Sequence, residues 1–350
     1  MSKTYAGRFF EDFRVGETLI HATPRTVTSG DATLYLALTG SRYAQFCCDD
    51  FARRNGLPAA PLDDLLTFHM VFGKSVPDVS WNAVANLGYA EGRFYGSVFV
   101  GETIYARSEV IGLRANSNGQ TGTVWVRTRG YAGTRLVVDF VRWVMIRRRD
   151  VGGPAPETVV PKLSKALSVD ELFVNPGMGG KADLDHLSGS RFSFEDYEVG
   201  ERIDHVEGFT VDEAEHRMAT RLYQNTAKVH FDAFAERHGR FGKCIVYGGH
   251  VISLARSLSF NGLAGCMHVV GINGGRHVGP TFAGDTIYAW SEVLDKQPLP
   301  RHRDVGALRL RLVATKDRPC HEFPDKDEEG RYPAEVVLDF DYWAIMPRAK

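Results

Sequence analysis

In the stretch LYQNTAKVHFDAFAERHGRFGKCIVYGGHV, Leu222 to Val251, the polar residues Asn225, His230 and Asp232 precede Gly248-Gly249, a glycine pair at the head of an apolar run. An imidazole takes and gives a proton near neutrality. A carboxamide has no titrating proton there, so Asn225 can orient water or substrate but cannot act as a base. Backbone N–H groups at the start of a helix are left unpaired by helix geometry and sit at the positive end of its dipole, where they suit a developing oxyanion. Together these residues suit proton transfer at a carbon beside a carbonyl. Taken singly, the same residues also describe a hydrogen-bonded structural histidine and a tight turn that needs glycine.

The elements that must position them come from a chain that repeats itself. FEDFRVGE (Phe10 to Glu17) returns as FEDYEVGE (Phe194 to Glu201), and VVDFVRW (Val137 to Trp143) as VLDFDYW (Val337 to Trp343). GYAEGRFYGSVFVGETIYARSEV, from Gly88, returns from Gly271 with 13 of 23 positions identical, and the offset drifts from 184 through 183 to 200. Each copy reads as a capped helix, a second apolar helix and then alternating strands. The first helix starts after Ser29 in one copy and at Asp212, with Glu215 at capping-box spacing, in the other. Helices followed by antiparallel strands give an α+β layer, a sheet wrapped on a largely apolar helix. The expected organisation is an N-terminal repeat over 1–150, a Gly- and Pro-rich linker over 151–190 and a C-terminal repeat over 191–350. The charged runs DKQPLPRHRD and KDRPCHEFPDKDEEGRYP are expected to be surface loops.

Composition narrows the class. Lysine plus arginine (42) nearly cancels aspartate plus glutamate (43), with no basic stripe, which argues against a nucleic-acid partner. Five cysteines with no CxxC pair indicate free thiols in a reducing compartment, and no run of roughly 18 apolar residues or apolar leader occurs. A cytoplasmic enzyme without a membrane partner is expected, as a homo-oligomer, dimer or higher. No Cys/His cluster has metal-ligand spacing, so no metal is expected, and neither a P-loop nor a dinucleotide fingerprint is present.

The duplicated sheet-and-helix pattern, with a polar segment ending in His ahead of a glycine-opened helix, resembles the double hotdog fold of the MaoC-like hydratases and dehydratases. QNTAKVHFDAFA places His230 on that family's histidine, Asp232 on its following acid and Phe234-Ala235 on its Phe-Ala. Asn225 stands where the family has its catalytic Asp, and Ala227 where it has Asn. The matching first-half segment, GSRYAQFCCDDFA, has Ser41 and Phe46 at the Asn225 and His230 positions, so one active site per chain is implied. The resemblance implies a hydro-lyase acting on a CoA thioester, with no cofactor besides the CoA that the substrate carries, His230 as the proton carrier and Gly248 and Gly249 as oxyanion donors. An R-specific enoyl-CoA hydratase, a non-catalytic CoA-binding subunit and a thioesterase are the alternatives.

Hotdog dehydratases that pair a histidine from one half with a carboxylate from the other suggest Asp64, in PLDDLLTFH, as the partner of His230, with Asp232 and His69 as substitutes. His69 also reads as a core histidine, and Asp63 and Asp64 as helix caps. CoA phosphates are expected on scattered cations, with Arg93 and Arg276, paired by the repeat, as candidates. Segments such as NSNGQTGTVWVRTRG further resemble members that act on a substrate bearing a distal carboxylate, for which Arg42 is the expected clamp and Lys228 the second choice.

Overall fold

The computed structural model describes residues 3–179 and 187–349. Its strands run β1 (Thr18–Ile20), β2 (Arg25–Thr26), β3 (Ala83–Phe94), β4 (Thr103–Ala115), β5 (Thr121–Ala132) and β6 (Arg135–Arg147). The second set is β7 (Arg202–Asp204), β8 (Phe209–Thr210), β9 (Val269–His277), β10 (Thr286–Leu299), β11 (His302–Lys316) and β12 (Val336–Pro347). All join one antiparallel sheet in the order β1-β4-β5-β6-β3-β9-β12-β11-β10-β7, with β2 on β4 and β8 on β10. The halves meet at β3 and β9, where Tyr89 faces Gly275 and Gly92 faces Ile272. A Cβ on Gly275 would lie 2.8 Å from the Tyr89 ring, so glycine sets how closely the halves approach.

Four helices fill the concave side or flank it: α1 (Ser29–Thr39), α2 (Asp64–Val79), α3 (Glu213–Leu222) and α4 (Gly248–Leu258). Helix α2 carries Phe68 and Phe72 one turn apart, and both rings pack on Phe140 of β6 and Tyr89 of β3. Each such ring, fully buried, stabilises the fold by about 1.5–3 kcal/mol. Helix α4 lies over Leu308, Leu310 and Leu312 of β11 in the same core. This is the α+β double hotdog, a sheet wrapped around a central helix in each half.

Two local readings of the sequence are corrected. Helix α1 is capped by Thr28, one residue before Ser29: its hydroxyl accepts from Asp31 N–H, and the Asp31 carboxylate accepts from Thr28 N–H at 2.8 Å. The run DKQPLPRHRD is no loop but the tip of the β10–β11 hairpin. A bulge between Val293 and Asp295 shifts the register, and Leu299 is buried against the segment that joins the halves. The second charged run is irregular yet tied down: Arg311 grips Asp325 at 2.8 and 2.6 Å, and Trp290 Nε1 donates to the Pro324 carbonyl. Among the described residues no helix is long and apolar enough to cross a membrane.

Candidate functional site

Helix α3 ends at Leu222, and the chain turns through Gln224 at φ +57° into the Asn225–His230 segment. This turn lies directly on α2. A Cβ on Gly73 would sit 1.8 Å from the Tyr223 carbonyl oxygen and 2.8 Å from Asn225 N, so only glycine lets the two backbones touch. Asn225 is buried, and its Oδ1 accepts from Ala227 N–H at 3.0 Å, which directs the amide NH2 away from the backbone. His230, 6 % exposed, closes a short 3-10 turn. Its Nδ1 donates to the Ile245 carbonyl at 2.9 Å, which assigns the proton to Nδ1 and leaves Nε2 as the lone pair. Burial, with His216 as a second cause, pulls the His230 pKa down to about 4, so the ring is neutral over the physiological range.

Ile245 leads through Tyr247 into α4, and the Tyr247 ring lies edge-on to His230 at 5.6 Å between centroids. Tyr247 occupies the N-cap position without a side-chain cap, and the first amide of α4 bonded back to it is His250 N–H. The N–H groups of Gly248 and Gly249 thus stand at the unpaired, positive end of the helix. A Cβ on Gly248 would meet the His277 ring at 2.5 Å. His277 Nε2 in turn meets the Tyr89 hydroxyl at 2.9 Å, joining β9 to β3 beside the helix start. His277, Tyr89 and Tyr247 were not singled out from the sequence. Their signal lay in the repeat, where His277 stands against Phe94, and Tyr247 holds the helix N-cap position that Asp63 holds in the first half.

Other expected residues lie elsewhere. Asp64 is not paired with His230: its carboxylate accepts from Val269 N–H at 2.9 Å and meets His268 Nδ1 at 3.0 Å. It therefore clasps the start of α2 to β9, in the first half's counterpart of the site. There Phe46 replaces the histidine and lies edge-on to His268 at 5.3 Å. The linker residues Phe173, Val174 and Met178 cover that counterpart and leave a cavity of about 30 Å³ lined by Asp64 and His268. Asp63 is the N-cap of α2, accepting from Leu65 N–H. Burial, and then Asp64, push its pKa up to about 7. Asp232 caps the short helix Ala233–Glu236. His69 is wholly buried and meets Ser253 Oγ at 3.0 Å.

Arg42 is no clamp. Its side chain is 52 % exposed, pairs with Glu207 at 2.7 Å and stacks on Phe260, since the first-half segment turns this position to the surface. Lys228 is also exposed, with Nζ 5.9 Å from the centroid of the Trp81 ring. Arg93 is tied to the linker through Glu171 at 2.5 Å, whereas Arg276 is exposed, one residue before the inward-facing His277. Among the described residues no group of three or more His, Cys, Asp or Glu side chains is placed to hold a metal ion.

Comparison with known proteins places this geometry. The chain is 58 % identical over 349 residues to a β-methylmalyl-CoA dehydratase of Chloroflexus aurantiacus, covering 99 % of each chain. It is 56 % identical over 348 residues to a mesaconyl-CoA hydratase of Cereibacter sphaeroides, covering 99 % of this chain and all of the relative. A solved MaoC-domain dehydratase from Chloroflexus aurantiacus superposes with a TM-score of 0.97 at 57 % identity over the full length of both chains. A Mycobacterium tuberculosis protein described as having a double hotdog fold superposes with a TM-score of 0.78 at 26 % identity, over 97 % of this chain and 98 % of that one. Residues 2–322 match the family described as mesaconyl-CoA hydratase, and the chain belongs to that family.

Proposed function

We propose that the chain reversibly adds water to mesaconyl-CoA, giving β-methylmalyl-CoA, with His230 as the proton carrier. The observation that carries this is the fixed tautomer: Nδ1 is committed to Ile245, so Nε2 is the basic atom, one ring away from the open N–H groups of α4. Hydration delivers both parts of one water, the hydroxyl to the carbon β to the thioester and a proton to the α carbon. The proton His230 takes from water is thus the one the α carbon needs. One imidazole suffices, and no carboxylate partner is required, consistent with Asp64 being engaged elsewhere. Gly248 and Gly249 N–H hold the thioester oxygen as it becomes an enolate. Asn225 donates its NH2 to the attacking water. The reaction needs no cofactor besides the CoA of its substrate, and the exposed Arg276 and Lys228 are available to that CoA's phosphates. The free cysteines support a reducing, cytoplasmic setting.

Purified protein mixed with mesaconyl-CoA should bleach the conjugated thioester absorbance without releasing free thiol, and should act far more slowly on crotonyl-CoA. Thiol release would make it a thioesterase, and equal rates on both substrates a general enoyl-CoA hydratase. The pH dependence follows from the depressed His230 pKa. The active form is neutral, so kcat/KM for the free enzyme should stay flat from neutrality down to about pH 5 and fall as pH drops through about 4. An acid limb centred near 6.5, the ordinary histidine value, would contradict a buried neutral base.

A further inference from the structure

The proposed substrate carries a carboxylate at the far end of its acyl unit, and a buried anion needs a partner. The inference made here rests on that substrate. With Arg42 at the surface, that partner has to be a buried cation. Most buried or half-buried arginines already have acids: Arg148 pairs with Glu11, Arg127 with Glu91 and Asp139, and Arg311 with Asp325. Arg256 gives its two terminal nitrogens to Ser259 Oγ and the Cys266 carbonyl. Arg142, on β6, differs. It is 0 % exposed, yet among the described residues no carboxylate pairs with it. Nη2 donates to Ser75 Oγ at 2.8 Å, the Ser80 hydroxyl lies 3.4 Å away, and Nε is buried without any partner.

Two contact paths connect this guanidinium with the site. It stacks on Phe72 at 4.3 Å, Phe72 meets Tyr247 at 5.5 Å, and Tyr247 meets His230 at 5.6 Å. It also stands opposite Tyr89 in the β3–β6 register, and Tyr89 bonds His277, whose ring abuts Gly248. The Tyr247 hydroxyl between these paths is a second buried donor with no partner. In the other repeat the position of Arg142 is the neutral Tyr342, so the charge belongs to one half.

We propose that Arg142 is the specificity-determining residue that binds the distal carboxylate of the acyl-CoA, through its unpartnered Nε and an adjacent Nη, with the Tyr247 hydroxyl as a further donor. Uncompensated burial holds its pKa down at about 10, still charged at neutrality, and a substrate anion supplies the missing counter-charge.

The test compares mesaconyl-CoA with 2-methylcrotonyl-CoA, in which a methyl group replaces the carboxylate, in wild type, Arg142→Met and Ser75→Ala. Arg142→Met should lower kcat/KM for mesaconyl-CoA about 30- to 5,000-fold, the range for truncating one member of a buried, hydrogen-bonded charge pair. The inhibition constant of the methyl analogue should move less than tenfold or tighten. Ser75→Ala leaves the cation in place and removes its tether, along with the hydroxyl's bond to the Phe72 carbonyl within α2, so it should raise KM for mesaconyl-CoA several-fold with kcat nearly intact. It also keeps the test open where Arg142→Met does not fold. Equal losses for both ligands in Arg142→Met, or a Ser75→Ala enzyme with unaltered KM, would overturn the assignment while leaving the hydratase reading standing. A wild-type enzyme that hydrates no mesaconyl-CoA would overturn both.

Discussion

Replacing His230 with alanine is expected to lower the hydration rate by two to four powers of ten, the typical worth of one positioned proton-transfer group. The substitution also strands the Ile245 carbonyl that Nδ1 now satisfies, at about 1–3 kcal/mol of stability, so loss of activity alone does not separate chemistry from folding. His230→Asn separates them. Its amide NH2 can still donate to Ile245, but it has no basic atom in place of Nε2. The asparagine variant should therefore regain thermal stability over alanine while remaining as inactive. If it regained turnover as well as stability, His230 would be a structural brace and the base would lie elsewhere.

The placement of His230 shows what was legible in sequence. The duplication, the helix-then-strands order and the polar segment ahead of a glycine-opened helix all carry periodicity or spacing, and these fixed the architecture and the position of the histidine. The errors arose where a tertiary partner decides. Asp64 has the residue type of an acid catalyst, but its partner His268 lies 204 residues away and belongs to the opposite repeat's strand edge. Arg42 aligns with Thr226, next to Asn225 in the second half, but the side-chain direction of an irregular segment is not readable from alignment. DKQPLPRHRD looked like a loop by polarity, whereas the pairing Gln297↔Ala307 and the burial of Leu299 make it a hairpin.

The differences between the repeats carry as much information as their likeness. At several positions the repeats match in their surroundings and differ in polarity: Phe46 against His230, Phe94 against His277 and Tyr342 against Arg142. Duplicated halves share packing demands, so a polar group in one copy and an apolar or neutral one in the other marks a function carried by one copy alone. The structure gathers His230, His277 and Tyr247 around the start of α4, with Arg142 behind the Phe72 ring, and it lays linker residues over the counterpart around Asp64.

That gathering depends on one glycine far from any proton transfer. Gly73 lies in the middle of α2 with a helical neighbourhood, where alanine ordinarily stabilises by about 0.5–1 kcal/mol. Here the sign should reverse. The added methyl would fall 1.8 Å from the Tyr223 carbonyl oxygen and within 2.9 Å of the Gln224 carbonyl carbon and Asn225 N, all backbone atoms with no rotamer to yield. Either α2 withdraws from the Phe140 and Tyr89 packing, or the 223–225 turn lifts. Overpacking of this kind costs about 1–3 kcal/mol in place of the gain. The turn is the softer side, since it is irregular backbone with Gln224 at φ +57°, whereas α2 is a regular helix buried along most of its length. Lifting it by an ångström would displace Asn225, and a displacement of that size in a residue that positions the attacking water costs about a hundredfold in rate. Gly73→Ala should thus lower both the melting temperature and kcat, with kcat falling by about two orders of magnitude in a protein still folded at assay temperature. A stabilised variant with native turnover would show that the turn does not bear on α2 in solution and that Asn225 is positioned by its own segment.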